Sequence, residues 1–280
     1  MANVNGGLVS QSQQKQPAPV MNVKRLLNDV NYKKRFEDIL GKKAAGFMSS
    51  VVNLTNSDTN LSKCEPNSVI ASAVVAATLD LPIDKNLGFA WIVPYGKRAQ
   101  FQMGWRGYVQ LALRTGQYKA INVIEIYKGQ LKSWNPLTEE LQFDFDAKEN
   151  DDVVGYAAFF KLVNGFEKVV YWTKDQVLKH AKRFSKTFSN GPWQSDFDGM
   201  AKKTVLKSTL GKWGILSIEM QKAIETDQAV IKADVANGSE IDSSTVEYVD
   251  NPDNAHDVNF ETVDGEKKEE DYSDTPFDES

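Results

Sequence analysis

The chain has 280 residues, enough to bury a full hydrophobic core in one large domain or two small ones. Its single cysteine, Cys64, excludes an intrachain disulfide framework and fits a reducing, cytoplasmic setting, and with only two histidines it cannot build a structural zinc site. No apolar run is long enough to span a membrane and no signal-peptide pattern opens the chain. The net charge of −5 conceals a division, because residues 1–222 hold 30 Lys+Arg against 20 Asp+Glu while residues 223–280 hold 3 against 18. A basic body with an acidic tail suggests a polyanionic partner; the alternative is a solvated basic surface with a solubilising tail.

Residues 1–22, with QSQQKQPAP at their centre, are polar and low in complexity, which predicts a disordered tail. Helical periodicity begins at Val23. Asn31 is placed to cap a helix over Tyr32 to Leu40 with Phe36, Ile39 and Leu40 inward, and Phe47, Val51 and Leu54 continue the helical spacing. Pro66 suits the first turn of a further helix, through Leu79, whose Ala and Val content fits close packing. Phe89 to Tyr95 is an apolar run of aromatic and β-branched residues and reads as a buried strand, with Gly96-Lys97 as a turn. Arg98 to Met103 alternates, which predicts Ala99, Phe101 and Met103 on one face and Arg98, Gln100 and Gln102 on the other. Gly104 ends that strand, and Trp105 to Thr115 reads as a helix stopped by Gly116, with Arg106, Gln110 and Arg114 sharing one face.

Strands follow at Ile121 to Tyr127 and Leu141 to Phe145, then a hairpin around Asn164-Gly165. Thr173 to Gln176 forms a capping box that starts a helix reaching Phe184. After a loop holding Gly191-Pro192, Ser195 or Asp196 caps a helix through Lys212, and Trp213 to Leu216 closes the core. Beyond about Glu225 the hydrophobic pattern fails and acids dominate. The prediction is an α+β core over residues 23–222: N-terminal helices, a central antiparallel sheet of hairpins and C-terminal basic helices, between disordered tails at 1–22 and 223–280.

Three constellations carry chemistry. In the first, Lys97, Arg98, Arg106, Arg114 and Lys119, with Gln100, Gln102 and Gln110, interleave with Tyr95, Phe101, Trp105 and Tyr108. Single-strand nucleic-acid binding uses that mixture, since cations hold the backbone and rings stack on any base. Taken singly each ring reads as core, Phe101 and Trp105 included, and the cations carry the functional reading. The second runs from Lys179 to Lys212 and includes His180, Lys182, Arg183, Lys186, Lys202, Lys203, Lys207 and Lys212, with Phe184, Phe188 and Trp193 between its two clusters. An ordinary exposed helix face would intersperse Glu, and its scarcity here favours a groove for a phosphate backbone. The third is acidic, Asp144, Asp146, Glu149, Asp151 and Asp152; Asp144 and Asp146 on one strand face could serve a metal-dependent nuclease, but such a site needs further carboxylates that the pattern does not place, and an acidic solvated turn between strands is the preferred reading. His180 lacks a Ser or Cys nucleophile context and reads as a helix-surface residue. The GK dipeptides at Gly41, Gly96 and Gly211 have Phe36, Trp91 and Leu206 where a phosphate-binding loop needs its first glycine. The sequence thus points to no nucleotide cofactor.

The run VVAATLDLPIDKNLGFAWIVPYGKRAQFQMGWRGYVQLALRTGQY, Val74 to Tyr118, resembles the core of the RecT family of phage single-strand annealing proteins. MAKKTVLKSTLGKWGILS, Met200 to Ser217, is similar to that family's C-terminal core motif. The resemblance covers roughly residues 23–223 and neither tail. It implies ATP-independent annealing of complementary single strands in homologous recombination inside a bacterial host, without a catalytic site. It also implies rings or helical filaments with single-stranded DNA and annealed duplex in a basic groove shared between subunits. A 5′-to-3′ exonuclease and the host single-strand binding protein are the implied partners. The cations inside the two motifs, Lys97, Arg98, Arg106, Arg114, Lys202, Lys203, Lys207 and Lys212, are the first candidates for that groove. Two competing readings are the nuclease above and a non-catalytic scaffold that binds a basic partner through the acidic tail, whose tip, Glu266 to Ser280, is also placed to compete with DNA for a basic groove.

Overall fold

The structure, a computed structural model, describes residues 22–232, 239, 241 and 244–250; the expected N-terminal tail up to residue 21 and the acidic tip lie outside the described residues. Four helices come first: α1 (Val23–Leu27), α2 (Val30–Leu40), α3 (Ala44–Ser57) and α4 (Pro66–Thr78). Asp29, rather than Asn31, caps α2, its carboxylate accepting the Asn31 backbone N–H at 2.9 Å, so the helix begins ahead of the apolar pattern. α4 is the axis on which the other layers pack. Every residue from Ser68 to Ala77 is buried, because its small side chains admit neighbours on all sides. Its two serines answer a specific need. Ser68 Oγ accepts the Ala99 N–H at 2.8 Å and Ser72 Oγ donates to the Ala99 carbonyl at 3.4 Å, so the strand laid over α4 keeps its backbone satisfied.

That strand is part of a hairpin, β1 (Ala90–Tyr95) and β2 (Arg98–Met103). The expected alternation fails on β2, where Gln100 and Gln102 are buried like Phe101, because Met200 lies against Gln102 and the 187–195 segment faces both glutamines. Gly104 and Gly107 then set the entry of α5 (Trp105–Arg114): an added Cβ would lie 2.0 Å from the Gly88 carbonyl oxygen and 2.2 Å from that of Phe89, respectively. Only glycine allows the chain entering β1 to lie against the first turn of α5.

The chain continues through β3 (Tyr118–Tyr127), a small hairpin of β4 (Leu131–Asn135) and β5 (Glu140–Phe143), β6 (Val153–Leu162) and β7 (Glu167–Thr173). β3, β6 and β7 form an antiparallel sheet in the order β3-β6-β7, turned between its last two strands at Gly165, which has φ +94°. The β4 strand had no signal in the sequence pattern. α6 (Lys174–Phe184) starts at the expected capping box, Gln176 Oε1 accepting the Thr173 N–H at 2.8 Å and Thr173 Oγ1 accepting that of Gln176 at 3.1 Å. A short α7 (Pro192–Ser195) leads to α8 (Phe197–Trp213), capped by Asp196, which crosses the sheet against β6, β7 and β3. The molecule is therefore α+β, with the helices before and after the strands in sequence packed into one core. Trp213 and Ile215, expected inside it, are 36% and 39% exposed, since α8 ends at Trp213 and the following segment runs along the surface.

The expected boundary at residue 222 falls inside α9 (Ile218–Thr226), and the chain beyond it packs on the core. The Phe101 N–H donates to the Ala229 carbonyl at 3.1 Å, the Gln228 N–H donates to the Phe101 carbonyl at 2.8 Å, and Ala229 to Ile231 are buried. A two-residue strand β8 (Val230–Ile231) pairs with β9 (Val246–Glu247). The open edge of β2 is thus completed by a segment whose composition reads as acidic tail. No helix among the described residues is long and apolar enough to cross a membrane.

Candidate nucleic-acid interface

Each lysine of α8 pairs with an acid, and only Lys212 among them is exposed. Lys203 is 3% exposed, with its ammonium 2.8 Å from Asp227 Oδ1, and Lys207 lies 3.5 Å from Asp227 Oδ2. Asp227 is itself buried and also accepts the Met103 N–H (2.9 Å) and the Tyr108 hydroxyl (3.1 Å). Burial opposes ionisation of Asp227, but Lys203 and Lys207 outweigh it and hold the carboxyl below its ordinary range. Burial pushes the Lys203 ammonium down, and Asp227 opposes that shift only in part. Lys202 pairs with Glu125 at 2.7 Å, and Lys212 with Glu139 at 3.2 Å beside Lys168, both lysines lying over the Trp213 ring. Lys203 and Lys207 do share a helix face, as the spacing predicts, yet that face is the inner one, and Lys203 is corrected from an exposed cation to a core ion pair.

The hairpin and α5 divide. Arg98 sits 2.7 Å from Glu247, which also holds Lys232 at 2.9 Å; the two hydrogen bonds, Arg98 first, lower the Glu247 pKa. Arg114 donates to the carbonyls of Leu79 and Asp80, each at 2.8 Å, and so clamps the C-terminal end of α4. Lys97, Arg106 and Lys119 are exposed, and no carboxylate pairs with any of them among the described residues. Gln110 is half-buried on α5. Trp105 is half-buried, not core, with Arg106 Cζ and Lys202 Nζ each 5.4 Å from its ring centroid, whereas Phe101 is fully buried as read.

The end of α6 differs again. Lys182 and Arg183 are exposed and their partners are rings: Lys182 Nζ is 5.9 Å from the Phe188 centroid and Arg183 Cζ 5.2 Å from that of Phe184. Phe184 continues a row of rings, 4.5 Å from His180, which is 5.5 Å from Trp172. No carboxylate among the described residues pairs with Lys182 or Arg183. Lys186 is exposed two residues past the end of α6, and the segment around it is anchored by Asp250, which accepts from Ser185 Oγ (2.8 Å), Thr187 Oγ1 (2.9 Å) and the Thr187 N–H (2.9 Å).

Between this segment and the β1–β2 hairpin lies a cleft of about 520 Å³. One wall carries Tyr95, Gln100 and Gln102, and the other runs from Thr187 to Ser195. In sequence Lys97 lies two residues after Tyr95 of one wall, and Lys186 immediately before Thr187 of the other. Asp227 and Asp250, which hold the site together, had no place in the sequence reading; the available signal was the short apolar run Ala229 to Ile231 inside the acidic stretch. Asp144 and Asp146 lie not on a strand but on a 3₁₀ turn, where Asp144 Oδ1 accepts the Asp146 N–H at 3.0 Å and Asp144 pairs with Lys132. Among the described residues no group of three His, Cys, Asp or Glu is arranged to hold a metal ion.

A model of the RecT family matches residues 45–244. The chain belongs to the RecT family. The RecT match runs beyond residue 222 and takes in the 227–231 segment that completes β2. The chain is 60% identical over 225 residues to an uncharacterized protein, YqaK, of Bacillus subtilis strain 168, covering 80% of this chain and 78% of that one. It is 29% identical over 177 residues to protein RecT of Escherichia coli K12, covering 60% of this chain and 65% of the relative. RecT-family membership places the chain with phage-type single-strand annealing recombination and carries single-stranded DNA as its ligand.

Proposed function

We propose that this chain anneals complementary DNA strands without a nucleotide fuel, holding them by their phosphates in a basic groove that continues from one subunit to the next of an oligomer. The observation that carries the reading is the exposed set of Lys97, Lys182 and Arg183, none of which pairs with a carboxylate among the described residues, in a RecT-family chain. Phosphate neutralisation lets two like-charged strands approach, and the complementary bases then select each other. Duplex stacking, on the order of 1.4 kcal/mol per step, supplies the driving force, so no hydrolysis is required. A 5′-to-3′ exonuclease that generates single strands and a host single-strand binding protein are the partners this activity calls for, in the bacterial cytoplasm.

The test is annealing of complementary oligonucleotides with no ATP present, followed by fluorescence. Wild type accelerates annealing, and Lys182→Ala with Arg183→Ala slows it while leaving the fold intact. Annealing by that double variant at the wild-type rate would show that the groove lies elsewhere.

A further inference from the structure

The cleft between the β1–β2 hairpin and the 187–195 segment has Lys97 and Lys186 next to its walls in sequence, yet no cation lines it. Asp250 is the one acidic side chain on it among the described residues, and its oxygens are taken by Ser185 and Thr187. What the walls present instead are amides and rings: Gln100, Gln102, Asn190 and Gln194, with Tyr95 and Trp193. A phosphate finds no countercharge there, whereas a planar heterocycle with donors and acceptors on its edge finds both kinds of partner. Gln100 makes the point sharply. It is 4% exposed, and its Oε1 is buried with no hydrogen-bond partner, a state that costs folding energy unless something else uses the acceptor. Beside it, Gln102 Nε2 rests at 3.0 Å on the Met200 thioether, a weak acceptor from which it can turn to a better one. A volume of about 520 Å³ is within the range of small-molecule sites and holds one nucleobase with its sugar.

We propose that this cleft is a nucleobase subsite, taking one unstacked base of the strand whose phosphates lie on the exposed cations, with Gln100 Oε1 accepting an N–H from its Watson–Crick edge. All four bases offer such an N–H, so the site holds a base without choosing a sequence. The inference rests on single-strand binding by the chain, and the test separates the two. Full-length protein is titrated with a labelled oligonucleotide and with one of equal length built only of abasic units, read by fluorescence anisotropy. The base-bearing strand is expected to bind about tenfold more tightly, the size of one base's stacking and edge contacts. Gln100→Leu, checked for folding by thermal unfolding, and Ser195→Leu, a rim change that fills the cleft without touching the core, are each expected to remove about fivefold of that preference and leave abasic binding unchanged. In parallel, the emission of 2-aminopurine placed in the oligonucleotide changes on binding wild type as the base leaves its neighbours for the cleft, and the brightening or quenching so produced is lost with either variant. Equal binding of the two strands by wild type, or variants that keep the preference and the emission change, would overturn the subsite while single-strand binding stands. Failure of wild type to bind either strand would overturn the binding itself and the subsite with it.

Discussion

Helix α8 and the end of α6 look alike as sequence, each a lysine-rich stretch with few acids nearby, and they have opposite roles in the fold. On α8 all four lysines meet a carboxylate, Glu125, Asp227 twice and Glu139, brought from other elements. At the end of α6, Lys182 and Arg183 meet aromatic faces and remain in solvent. The absence of i,i+4 glutamates on a helix therefore says nothing about neutralisation across the fold. A cation offered to a polyanion has to be free of distant acids as well as local ones, because a buried pair such as Lys203 with Asp227 has already exchanged water for its partner.

The comparison is broken most severely at Asp227. Asp227→Ala leaves Lys203 buried without its counter-ion, and is expected to cost about 3–5 kcal/mol in urea unfolding, where loss of a surface pair would cost about 1 kcal/mol or less. Because the carboxyl is held below its ordinary value of 3.8, its stabilisation is fully present above that pH and is lost as pH falls through the lower folded value. The urea midpoint of wild type should thus fall on acidification below about pH 4, and that of Asp227→Asn should depend less on pH in the same window. Arg114→Ala, which frees the carbonyls at the end of α4, is expected to cost about 1.5–3 kcal/mol in thermal unfolding, with little change in the salt dependence of DNA binding. Lys182→Ala with Arg183→Ala should do the reverse: stability within about 0.5 kcal/mol of wild type, and a salt slope of DNA affinity reduced by about two. Smallest of all, Lys212→Ala removes an exposed lysine from Glu139, which keeps Lys168 as its partner; the change should cost at most about 1 kcal/mol and leave the salt slope as it was.

What the sequence made legible is what local chemistry decides. The Thr173 capping box, the Asn164-Gly165 hairpin, the Pro66 helix start and the β1–β2 hairpin all depend on residues a few positions apart, and all are where the pattern put them. The Gln face of β2 departs from the pattern because period-two alternation identifies a polar face only when water covers it; here Met200 lies against Gln102 and the 187–195 segment faces both glutamines. Asp29 took the cap expected of Asn31 for the same kind of reason, two equivalent chemistries lying within one turn. The site was legible as a composition of cations and rings and illegible as a place. The residues that sort it, Asp227, Glu247 and Asp250, sit in a stretch whose average composition is that of a solvated tail, and averages hide a buried acid among apolar neighbours.

The backbone bonds between Phe101 and residues 228–229 have a practical consequence. A chain ended near residue 225, where composition suggests the fold is finished, would lose the counter-ion of Lys203 and uncover the N–H and C=O groups of β2 together. An uncapped strand beside an uncompensated buried charge favours pairing with another copy's strand over staying monomeric, so such a shortened chain should precipitate or co-elute as ill-defined aggregates. Aggregation of that kind would be easily mistaken for the ordered assemblies of a recombination protein. Shortening the acidic end safely means cutting after Asp250.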